Sequence, residues 1–326
     1  MVKCSLCGEK AIAIIPYARL KLCKKHLMEY VERKVERALK RYKLVNKGWH
    51  VLVAVSGGKD SSTLLRILSK LSKKYMFKLT ALYIDLGIRV YSDKSKQAVV
   101  KLVEQTSTPL IVVNVKEALG YSVPELAWKT RRPVCSVCGV VKRYILNATA
   151  IELRTHTIAL GHNLDDLIAY VLKEFINQNL GQIGKLGPKT ETIDGLAIGR
   201  IRPLYEVYER ESLLYVLASK TPFLPDECPH VRRDSLEFVL KEQLNKLEEK
   251  FPGIKMSLAR RLALNIDKYP QLQQELSKCK ACGLIASGQL CSLCKLTKQA
   301  LGEPMGPKLR VYIREKINEL FGKQDN

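Results

Sequence analysis

The stretch Val51–Ser62, which reads VLVAVSGGKDSS, decides the fold of this chain. Its first five residues are apolar and mostly valine, as in a buried parallel strand, and the residues from Thr63 to Leu71 have helical spacing. A strand, a glycine turn and a helix start form an anion site, because free backbone N–H groups meet the positive end of the helix dipole there. Gly57 and Gly58 let the backbone approach a phosphate closely, and Lys59 adds positive charge. The spacing differs from the Walker A pattern.

Strands and helices alternate along the middle of the chain, as a parallel α/β domain requires. The apolar patterns predict strands over Leu79–Asp85, Leu110–Val115 and Thr157–Leu160, and helices over Ser92–Gln105, Val140–Leu153 and from Asp166 to about Gln178. Open sheets of this kind bind ligands at the carboxyl ends of their strands. We therefore expect Ser56, Asp85 and His162 to lie at one site.

The chain of 326 residues is strongly basic, with 55 Lys and Arg against 32 Asp and Glu and a formal net charge of +23. Residues 1 to 50 alone carry 13 Lys and Arg against 4 Glu, a net of +9. A nucleic acid is the simplest partner for this charge, and a predicted basic helix at Leu27–Tyr42 would be available to RNA. The sequence shows no run of 18 apolar residues and no signal peptide, so we expect a cytoplasmic protein without a membrane partner.

Ten cysteines in a chain without a secretory signal point to metal ligands rather than to disulfides. Two groups have zinc-module spacing: Cys4, Cys7, Cys23 and His26 near the N-terminus, and Cys279, Cys282, Cys291 and Cys294 near the C-terminus. Each group supplies four ligands for a closed tetrahedral zinc, and metal binding would supply folding energy to segments too short for an apolar core. Rubredoxin-like iron or a redox dithiol is the alternative.

The remaining cysteines, Cys135, Cys138 and Cys228, come from two distant segments and would form a partly open site. Their spacing leaves three interpretations open: a third zinc completed by His230 or water, a redox pair that passes a persulfide, or a [4Fe–4S] cluster with one iron that lacks a protein ligand. The helix predicted to begin at Val140, just after the pair, would help to keep thiolates ionised.

Four motifs together resemble a known family. They are SGGKDSS at Ser56–Ser62, PVCSVCGVVKRY at Pro133–Tyr144, GHNLDD at Gly161–Asp166 and ECP at Glu227–Pro229, and the two cysteine modules flank them. Over essentially the full chain this set resembles the TtcA/TtuA superfamily of tRNA 2-thiolation enzymes, which carry the PP-loop SGGxDS. It looks most like the TtuA branch, which thiolates the ribothymidine at position 54 of the T-loop. The sister branch, which thiolates the wobble uridine at position 34, is the alternative, followed by another PP-loop ATP-dependent ligase.

The resemblance implies adenylation followed by sulfur transfer. ATP with Mg2+ would bind the loop, the uridine O2 would attack the α phosphate and release pyrophosphate, and sulfur would displace AMP at C2. The implied nucleotide-binding residues are Ala54, Ser56, Gly57, Gly58, Lys59, Asp60, Ser61, Ser62, Asp85, Gly161 and His162. Asp60, Lys142 and Asp166 are the implied catalytic residues, although Asp166 would also suit a helix N-cap. A non-catalytic RNA-binding protein, the third class of function considered, would have no use for this loop.

The resemblance also implies the cofactors, the partners and the fold. It assigns Cys135, Cys138 and Cys228 to a [4Fe–4S] cluster with an open iron, and the two terminal groups to two Zn2+ ions. The implied partners are tRNA, a ubiquitin-like sulfur carrier protein with a C-terminal thiocarboxylate, and a second copy of the chain in a homodimer. The implied fold is an α/β PP-loop ATPase, adenine nucleotide α-hydrolase-like, with a parallel sheet, helices on both faces and zinc-binding modules at both ends.

Five segments are expected along the chain. They are an N-terminal zinc module at 1–28, a basic connecting helix at 29–48, a PP-loop catalytic domain at 49–225, a helical extension with Cys228 at 226–272, and a C-terminal zinc ribbon and tail at 273–326. Within the extension, residues 231–250 and Ser257–Tyr269 are predicted to be amphipathic helices. The glycine-rich stretch Asn179–Gly199 is predicted to be a mobile loop beside the site.

Overall fold

The N-terminal module packs directly onto the rest of the molecule. A computed structural model describes residues 2–270 and 276–322. The module contains a short antiparallel hairpin of β1 (Ala13–Ile15) and β2 (Leu20–Leu22), and helix α1 (Lys24–Arg41) follows at once. The basic helix therefore begins three residues before its predicted start, and it crosses the expected boundary between residues 28 and 29. Because its apolar stripe is buried in the same core as the central sheet, α1 is held by packing along its length.

Five parallel strands form the central sheet. They are β3 (His50–Val55), β4 (Lys78–Asp85), β5 (Leu110–Asn114), β6 (Thr157–Ala159) and β7 (Arg200–Ile201). Their order is β5-β4-β3-β6-β7, so the chain extends the sheet from β3 in one direction and then returns to add β6 on the other side of β3. The gap between the carboxyl ends of β3 and β6 is thus a topological switch point, where open α/β sheets bind ligands.

Helices cover both faces of this sheet. The helices between β3 and the C-terminal module are α2 (Lys59–Tyr75), α3 (Arg89–Thr106), α4 (Val115–Leu119), α5 (Val123–Thr130), α6 (Val134–Glu152), α7 (Leu164–Ile176), α8 (Leu180–Ile183), α9 (Glu209–Ser219), α10 (Leu236–Lys250) and α11 (Ile254–Leu264). Of these, α8, α10 and α11 pack against α7. Successive residues of β3 belong to different apolar cores: Leu52 to one, Val51 and Val53 to the other. Successive side chains of a strand point to opposite faces, so the strand is buried on both sides. The predicted α/β class is confirmed.

Helix α6 begins six residues before its predicted start at Val140, and that prediction was wrong. Gly139 has a low helix propensity, but the buried side chains of Val137 and Val141 pack in the core and override it. The cysteine pair therefore lies within the first two turns of α6 rather than before the helix. By length and composition α6 could cross a membrane, yet its buried residues pack in the core of this domain.

The C-terminal module docks against α6. It contains β8 (Ser277–Lys278), β9 (Ile285–Ala286), α12 (Ser292–Leu301) and α13 (Gly306–Phe321), and its buried apolar residues belong to the same core as α6. The Tyr144 hydroxyl donates a hydrogen bond to the Gly306 carbonyl over 2.8 Å. The expected boundary between residues 272 and 273 lies outside the described residues.

Other segments also differ from their predicted bounds: α3 begins at Arg89 rather than at Ser92, and α11 runs from Ile254 to Leu264 rather than from Ser257 to Tyr269. Helix α10 begins at Leu236, five residues after the predicted start, because the Ser235 hydroxyl accepts the Phe238 N–H and caps the helix there. The stretch Asn179–Gly199, predicted to be a mobile loop, contains the short helix α8. The Asn147 side chain of α6 ties this stretch down, since it donates to the Leu196 carbonyl and accepts the Ile198 N–H.

Candidate active site and metal centres

A cavity of about 800 Å3 opens at the carboxyl ends of β3, β4 and β6. The glycine loop (Ser56–Ser62) lines one side of it, and the first turns of α3, Lys142 of α6 and residues from Phe223 to Glu227 line the others. The cavity therefore lies at the switch point of the sheet, where the topology and the loop sequence both predict a ligand.

Gly57 fixes the path of the glycine loop. Its φ of +82° lies in the left-handed region, and a Cβ there would come within 2.8 Å of the Ser95 carbonyl oxygen of α3. Its own carbonyl accepts the Leu224 N–H over 2.7 Å. The next residue, Gly58, precedes α2 without any side-chain cap, so the first N–H groups of α2 are available to an anion in the cavity.

Asp60 is the carboxylate nearest to these N–H groups. Its Oδ1 atom is buried and has no hydrogen-bond partner among the described residues, while Oδ2 lies 3.1 Å from Lys59 Nζ. Burial raises the pKa of Asp60, and the neighbouring Lys59 ammonium opposes that shift. An unpartnered buried carboxylate oxygen is costly unless a cation or a donor meets it, so Asp60 has one open coordination position.

A chain of charges runs from the glycine loop to α10. Lys59 Nζ lies 2.7 Å from Glu209 Oε1, and Lys241 Nζ lies 2.6 Å from both Glu209 Oε2 and Asp166 Oδ1. Asp166 Oδ2 also accepts a hydrogen bond from Asn163, whose side chain caps α7. Burial raises the pKa of Asp166, and Lys241 lowers it. The cap of α7 is therefore Asn163, and Asp166 is linked to Lys59 of the glycine loop through three successive ion pairs.

Helix α6 carries thiols and a cation to the edge of the cavity. Cys138 is half-buried, Cys135 is exposed, and the Lys142 ammonium lies beside the Cys138 thiol one turn further along. Burial raises the pKa of Cys138, while Lys142 lowers it. Cys135 Sγ donates to the His230 carbonyl over 3.2 Å, which brings the segment with Cys228 to the start of α6.

Two groups of ligand atoms have the dimensions of a tetrahedral metal site. Their members are Cys4, Cys7, Cys23 and His26 in one group, and Cys279, Cys282, Cys291 and Cys294 in the other; within each group all ligand atoms lie within 4.8 Å of one another. A Zn–S bond of about 2.3 Å in tetrahedral geometry places two sulfurs ~3.8 Å apart. The Cys7 and Cys23 sulfurs are 3.7 Å apart, and those of Cys282 and Cys291 are 3.8 Å apart.

The third group of cysteines is more widely spaced. Cys135 and Cys228 both lie close enough to Cys138 to raise its pKa, yet the three sulfurs are not among the described groups whose ligand atoms all lie within 4.8 Å. His230 contributes its backbone carbonyl, and its imidazole joins no such group with these thiols. At least two of these three sulfurs therefore lie farther apart than the ligand atoms of either terminal group.

Comparison with known proteins identifies the family. Residues 27–233 match the family model described as a PP-loop domain, and residues 3–28 match that of the N-terminal LIM domain of the 2-thiouridine synthetase TtuA. The chain is 40% identical over 296 residues to tRNA-5-methyluridine(54) 2-sulfurtransferase of Pyrococcus horikoshii. This alignment covers 90% of this chain and 93% of the relative. It is 36% identical over 295 residues to the protein of the same name from Thermus thermophilus, with 90% of each chain covered. The chain belongs to the PP-loop family of tRNA 2-sulfurtransferases.

A solved structure of this PP-loop architecture supports the fold. The U34-tRNA thiolase NcsA from Methanococcus maripaludis, solved with its [4Fe-4S] cluster, matches with a TM-score of 0.75 at 28% identity, over 92% of this chain and 95% of that one. The predicted superfamily and architecture are thereby confirmed. The sulfurtransferases named for position 54 are more similar in sequence to this chain than this wobble-position thiolase is.

The structure brings most of the predicted nucleotide-binding residues of this PP-loop enzyme together. Eight of the eleven line the cavity: Ala54, Ser56, Gly58, Lys59, Asp60, Ser61, Gly161 and His162. Gly57, Ser62 and Asp85 are buried and do not line the cavity. The Asp85 carboxylate accepts the Gly87 N–H over 2.9 Å. His162 lines the cavity with an exposed side chain, and partial desolvation together with the nearby Arg202 and Arg200 lowers its pKa. Its imidazole is therefore neutral near pH 7.

Sequence reasoning missed Glu209 and Lys241, which connect Lys59 to Asp166. Glu209 lies 150 residues from Lys59, and both missed residues belong to helices whose charged positions read as solvent-exposed faces. Lys142 was predicted, but it does not stand alone: its position beside Cys138 depends on both residues belonging to one helix.

Proposed function

We propose that this chain is an ATP-dependent tRNA 2-sulfurtransferase whose target is the ribothymidine at position 54 of the T-loop. Two relatives with that activity in their names each align over 90% of the chain. The structural observation that carries the proposal is the position of Lys142, which lines the nucleotide cavity and lies beside the Cys138 thiol. The activated base and the sulfur donor have to meet at one point. Lys142 adjoins both the nucleotide cavity and Cys138 of the cysteine pair, so it marks that point.

The first half of the reaction forms an adenylated base. The uridine O2 attacks the α phosphate of ATP, an O–P bond forms, and the bond to pyrophosphate breaks. The free N–H groups at the start of α2 and the Lys59 ammonium supply positive charge where negative charge develops on the phosphate oxygens. The open Oδ1 of Asp60 supplies an oxygen ligand for Mg2+, which binds oxygen donors together with phosphates.

The second half replaces oxygen with sulfur. A sulfur nucleophile adds to C2 and AMP leaves with the former uridine oxygen, so a C–S bond forms and a C–O bond breaks. Lys142 is placed to stabilise either the departing AMP or the incoming anionic sulfur. Asp166 would act as a positioning residue, because its ion pair with Lys241 also fixes Glu209, and Glu209 holds Lys59 at the glycine loop.

Cys135, Cys138 and Cys228 would hold a [4Fe–4S] cluster. The wide spacing of the three sulfurs fits a cluster better than a third tetrahedral zinc, and the fold is shared with NcsA, which was solved with such a cluster. A cluster held by only three thiolates would supply an iron position without a protein ligand, on which sulfur could be carried. The exposed Cys135 keeps this edge of the cavity accessible from solvent.

The two terminal groups would each bind one structural Zn2+. The sulfur spacings of 3.7 and 3.8 Å match the geometry of tetrahedral zinc thiolates. The C-terminal group is buried, and a Cβ on Gly306 would come within 2.5 Å of Cys294 Sγ, so the packing of α13 against the domain depends on this group. We assign both ions a structural role, since each has four protein ligands and no open position.

The proposal includes partners and a cellular location. Sulfur would arrive as the C-terminal thiocarboxylate of a small ubiquitin-like carrier protein, the enzyme would work as a homodimer, and both would be in the cytoplasm. These three statements are what the resemblance to the family implies. Size-exclusion chromatography with light scattering tests the dimer, and sulfur transfer from a carrier thiocarboxylate in place of sulfide tests the carrier.

Two variants test the assignment of the site. Asp60→Ala should abolish thiolation and leave tRNA affinity within about twofold, because Asp60 lies inside the cavity; a variant that still thiolates would remove the glycine loop from the mechanism. Cys228→Ser should lose the visible absorbance of the iron–sulfur cluster with zinc content unchanged. Cys7→Ser is the matched control, which should lose zinc and keep that absorbance. A fall in zinc in Cys228→Ser would show a third zinc site instead.

A further inference from the structure

A second concave surface lies on the far side of the cysteine pair from the nucleotide cavity. This surface, named here the Trp128 surface, encloses about 790 Å3 and includes Trp128, Lys129, Arg131, Arg132, Val134 and Ala300. The first four end helix α5 or follow it, Val134 begins α6, and Ala300 belongs to α12 of the C-terminal module. None of the mechanistic steps above uses any of these side chains.

Trp128 is unusually exposed for its type. The side chain is 81% exposed, whereas the other tryptophan of the chain, Trp49, stacks on His156 with ring centroids 5.6 Å apart. Tryptophan is usually largely buried, since its large apolar area favours burial. An indole left open in a concave surface therefore indicates a flat partner that covers its face.

The charge around Trp128 specifies the chemistry of that partner. Lys129, Arg131 and Arg132 are all exposed, and no described carboxylate forms an ion pair with any of them. Lys129 Nζ lies 4.6 Å from the centre of the Tyr121 ring, and no acidic residue lines this concave surface. Three unpaired cations beside an open aromatic ring fit a single-stranded nucleic acid, whose bases stack and whose phosphates are anionic.

The backbone holds these side chains in place. Arg131 ends α5 with a left-handed φ of 53°, and its N–H donates to the Trp128 carbonyl. The Arg132 N–H donates to the Ala127 carbonyl, and the Thr130 hydroxyl donates to the Leu126 carbonyl. The surface is therefore built on a capped helix end that directs both arginines outward, so little order has to be gained on binding.

The Trp128 surface is also close enough to the cavity to bind the same RNA. Val134 of the surface and Lys142 of the cavity wall both belong to α6, eight residues apart, which is about 12 Å at 1.5 Å per residue. The cysteine pair lies between them. At about 3.4 Å per stacked nucleotide, three to four nucleotides span this distance.

We propose that the Trp128 surface binds unpaired nucleotides of the tRNA substrate that flank the base to be thiolated. One base stacks on the Trp128 indole, and the flanking phosphates pair with Lys129, Arg131 and Arg132. The inference rests on the proposed function for the identity of the RNA. It adds the place where the strand is anchored outside the catalytic cavity, and it gives α12 of the C-terminal module a part in substrate binding.

Fluorescence tests the stacking directly. Trp49→Phe leaves Trp128 as the only tryptophan, and titration of this protein with unmodified tRNA should quench its emission. In the full chain, Trp128→Ala should raise the Kd for tRNA about tenfold, equivalent to ~1.4 kcal/mol and within the range for one stacked base, while Trp128→Phe should stay near the wild-type value. ATP affinity should be unchanged in both variants.

Salt dependence tests the phosphate contacts. Arg131→Ala combined with Arg132→Ala should reduce the slope of log Kd against log salt by about 1.4, the value for two contacts with a single strand. Lys73→Ala combined with Lys101→Ala is the matched control: it removes the same charge from exposed positions near the far ends of α2 and α3, and should change the slope by less than half as much.

Three outcomes would overturn the inference. Unchanged tRNA affinity in Trp128→Ala, with no quenching of Trp128 by tRNA, would show that RNA does not use this surface. If the wild-type protein is a dimer and Trp128→Ala is a monomer, the Trp128 surface is a contact between copies of the chain. If Trp128→Ala loses sulfur transfer from a carrier protein but keeps its affinity for tRNA, the surface is a protein-docking site. Quenching and the tenfold effect in an enzyme that thiolates nothing would instead support the surface and contradict the proposed function.

Discussion

Alanine substitutions at the two glycines of the loop should affect different properties: Gly57→Ala should lower the stability of the protein, and Gly58→Ala should lower its affinity for ATP. Gly57→Ala forces a residue with a Cβ into φ of +82°, which costs about 1–2 kcal/mol, and puts that Cβ 2.8 Å from the backbone oxygen of Ser95. Helix backbone cannot move aside as a flexible side chain can, so overpacking adds roughly 1–3 kcal/mol. We expect a total loss of about 2–5 kcal/mol in the free energy of unfolding. At about 2 °C per kcal/mol for a chain of this size, the Tm falls by roughly 4–10 °C.

Gly58→Ala is the matched variant, because this glycine has φ of −77° and its Cβ would have only Ser56 Oγ nearby, at 3.7 Å. Its Tm without nucleotide should stay within about 2 °C of wild type, since no strain is introduced. The new methyl group lies in the cavity wall and separates the backbone from a phosphate, so we expect the Kd for Mg-ATP to rise about tenfold.

Scanning fluorimetry with and without Mg-ATP separates these effects. At a concentration of 100 times the wild-type Kd, ATP stabilises the wild-type protein by ~2.7 kcal/mol, and a tenfold weaker variant by only ~1.4 kcal/mol. Gly58→Ala should therefore show about half of the wild-type Tm increase, from an unchanged baseline. A wild-type Tm in Gly57→Ala, or a full ATP-induced increase in Gly58→Ala, would refute the described geometry of the loop.

Three further predictions concern other parts of the molecule. Lys142→Met should lower the single-turnover thiolation rate about 10²–10³-fold without a change in Tm, and an unchanged rate would remove Lys142 from the mechanism. The imidazole of His162 should titrate in NMR with a pKa below the ordinary histidine value of about 6.5, because partial desolvation and the nearby Arg202 and Arg200 disfavour its charged form; a midpoint at or above 6.5, with the signal assigned by His162→Gln, would contradict its surroundings. Cys294→Ser should release one zinc per chain and lower the Tm of the whole domain, since its module shares the core of α6, and a separate low-temperature transition would show an independent module.

The core of the fold could be predicted because its signals are local. A valine-rich strand, two glycines and an apolar helix follow one another within Val51–Leu71, and each element needs only neighbouring residues to be recognised. The start of α6 could not be predicted in this way. Gly139 lowers the local helix propensity, and only packing of Val137 and Val141 in the core, which the sequence does not display, extends the helix to Val134.

The candidate site likewise has parts that short-range sequence patterns predict and parts that depend on contacts between distant segments. The cysteine spacings and the glycine loop indicated ligands because metal and phosphate chemistry restrict residue types over short intervals. The ion pairs of Glu209 and Lys241 join segments up to 150 residues apart, and charged residues on helices ordinarily face solvent. Asp85 was expected in the nucleotide site from its place at the end of β4, but its carboxylate accepts the Gly87 N–H of the following turn.

The central claim is tested most directly by sulfur transfer to a mapped position in tRNA. Protein prepared without oxygen and reconstituted with iron and sulfide would be incubated with Mg-ATP, sulfide and tRNA that lacks the thiolation, and the RNA fragments would be analysed by mass spectrometry. We predict a mass increase equal to the exchange of oxygen for sulfur in the T-loop fragment that contains position 54, and only with ATP present. The same increase in the anticodon fragment would assign the protein to wobble thiolation, and no thiolated fragment from protein with an intact cluster would contradict the account.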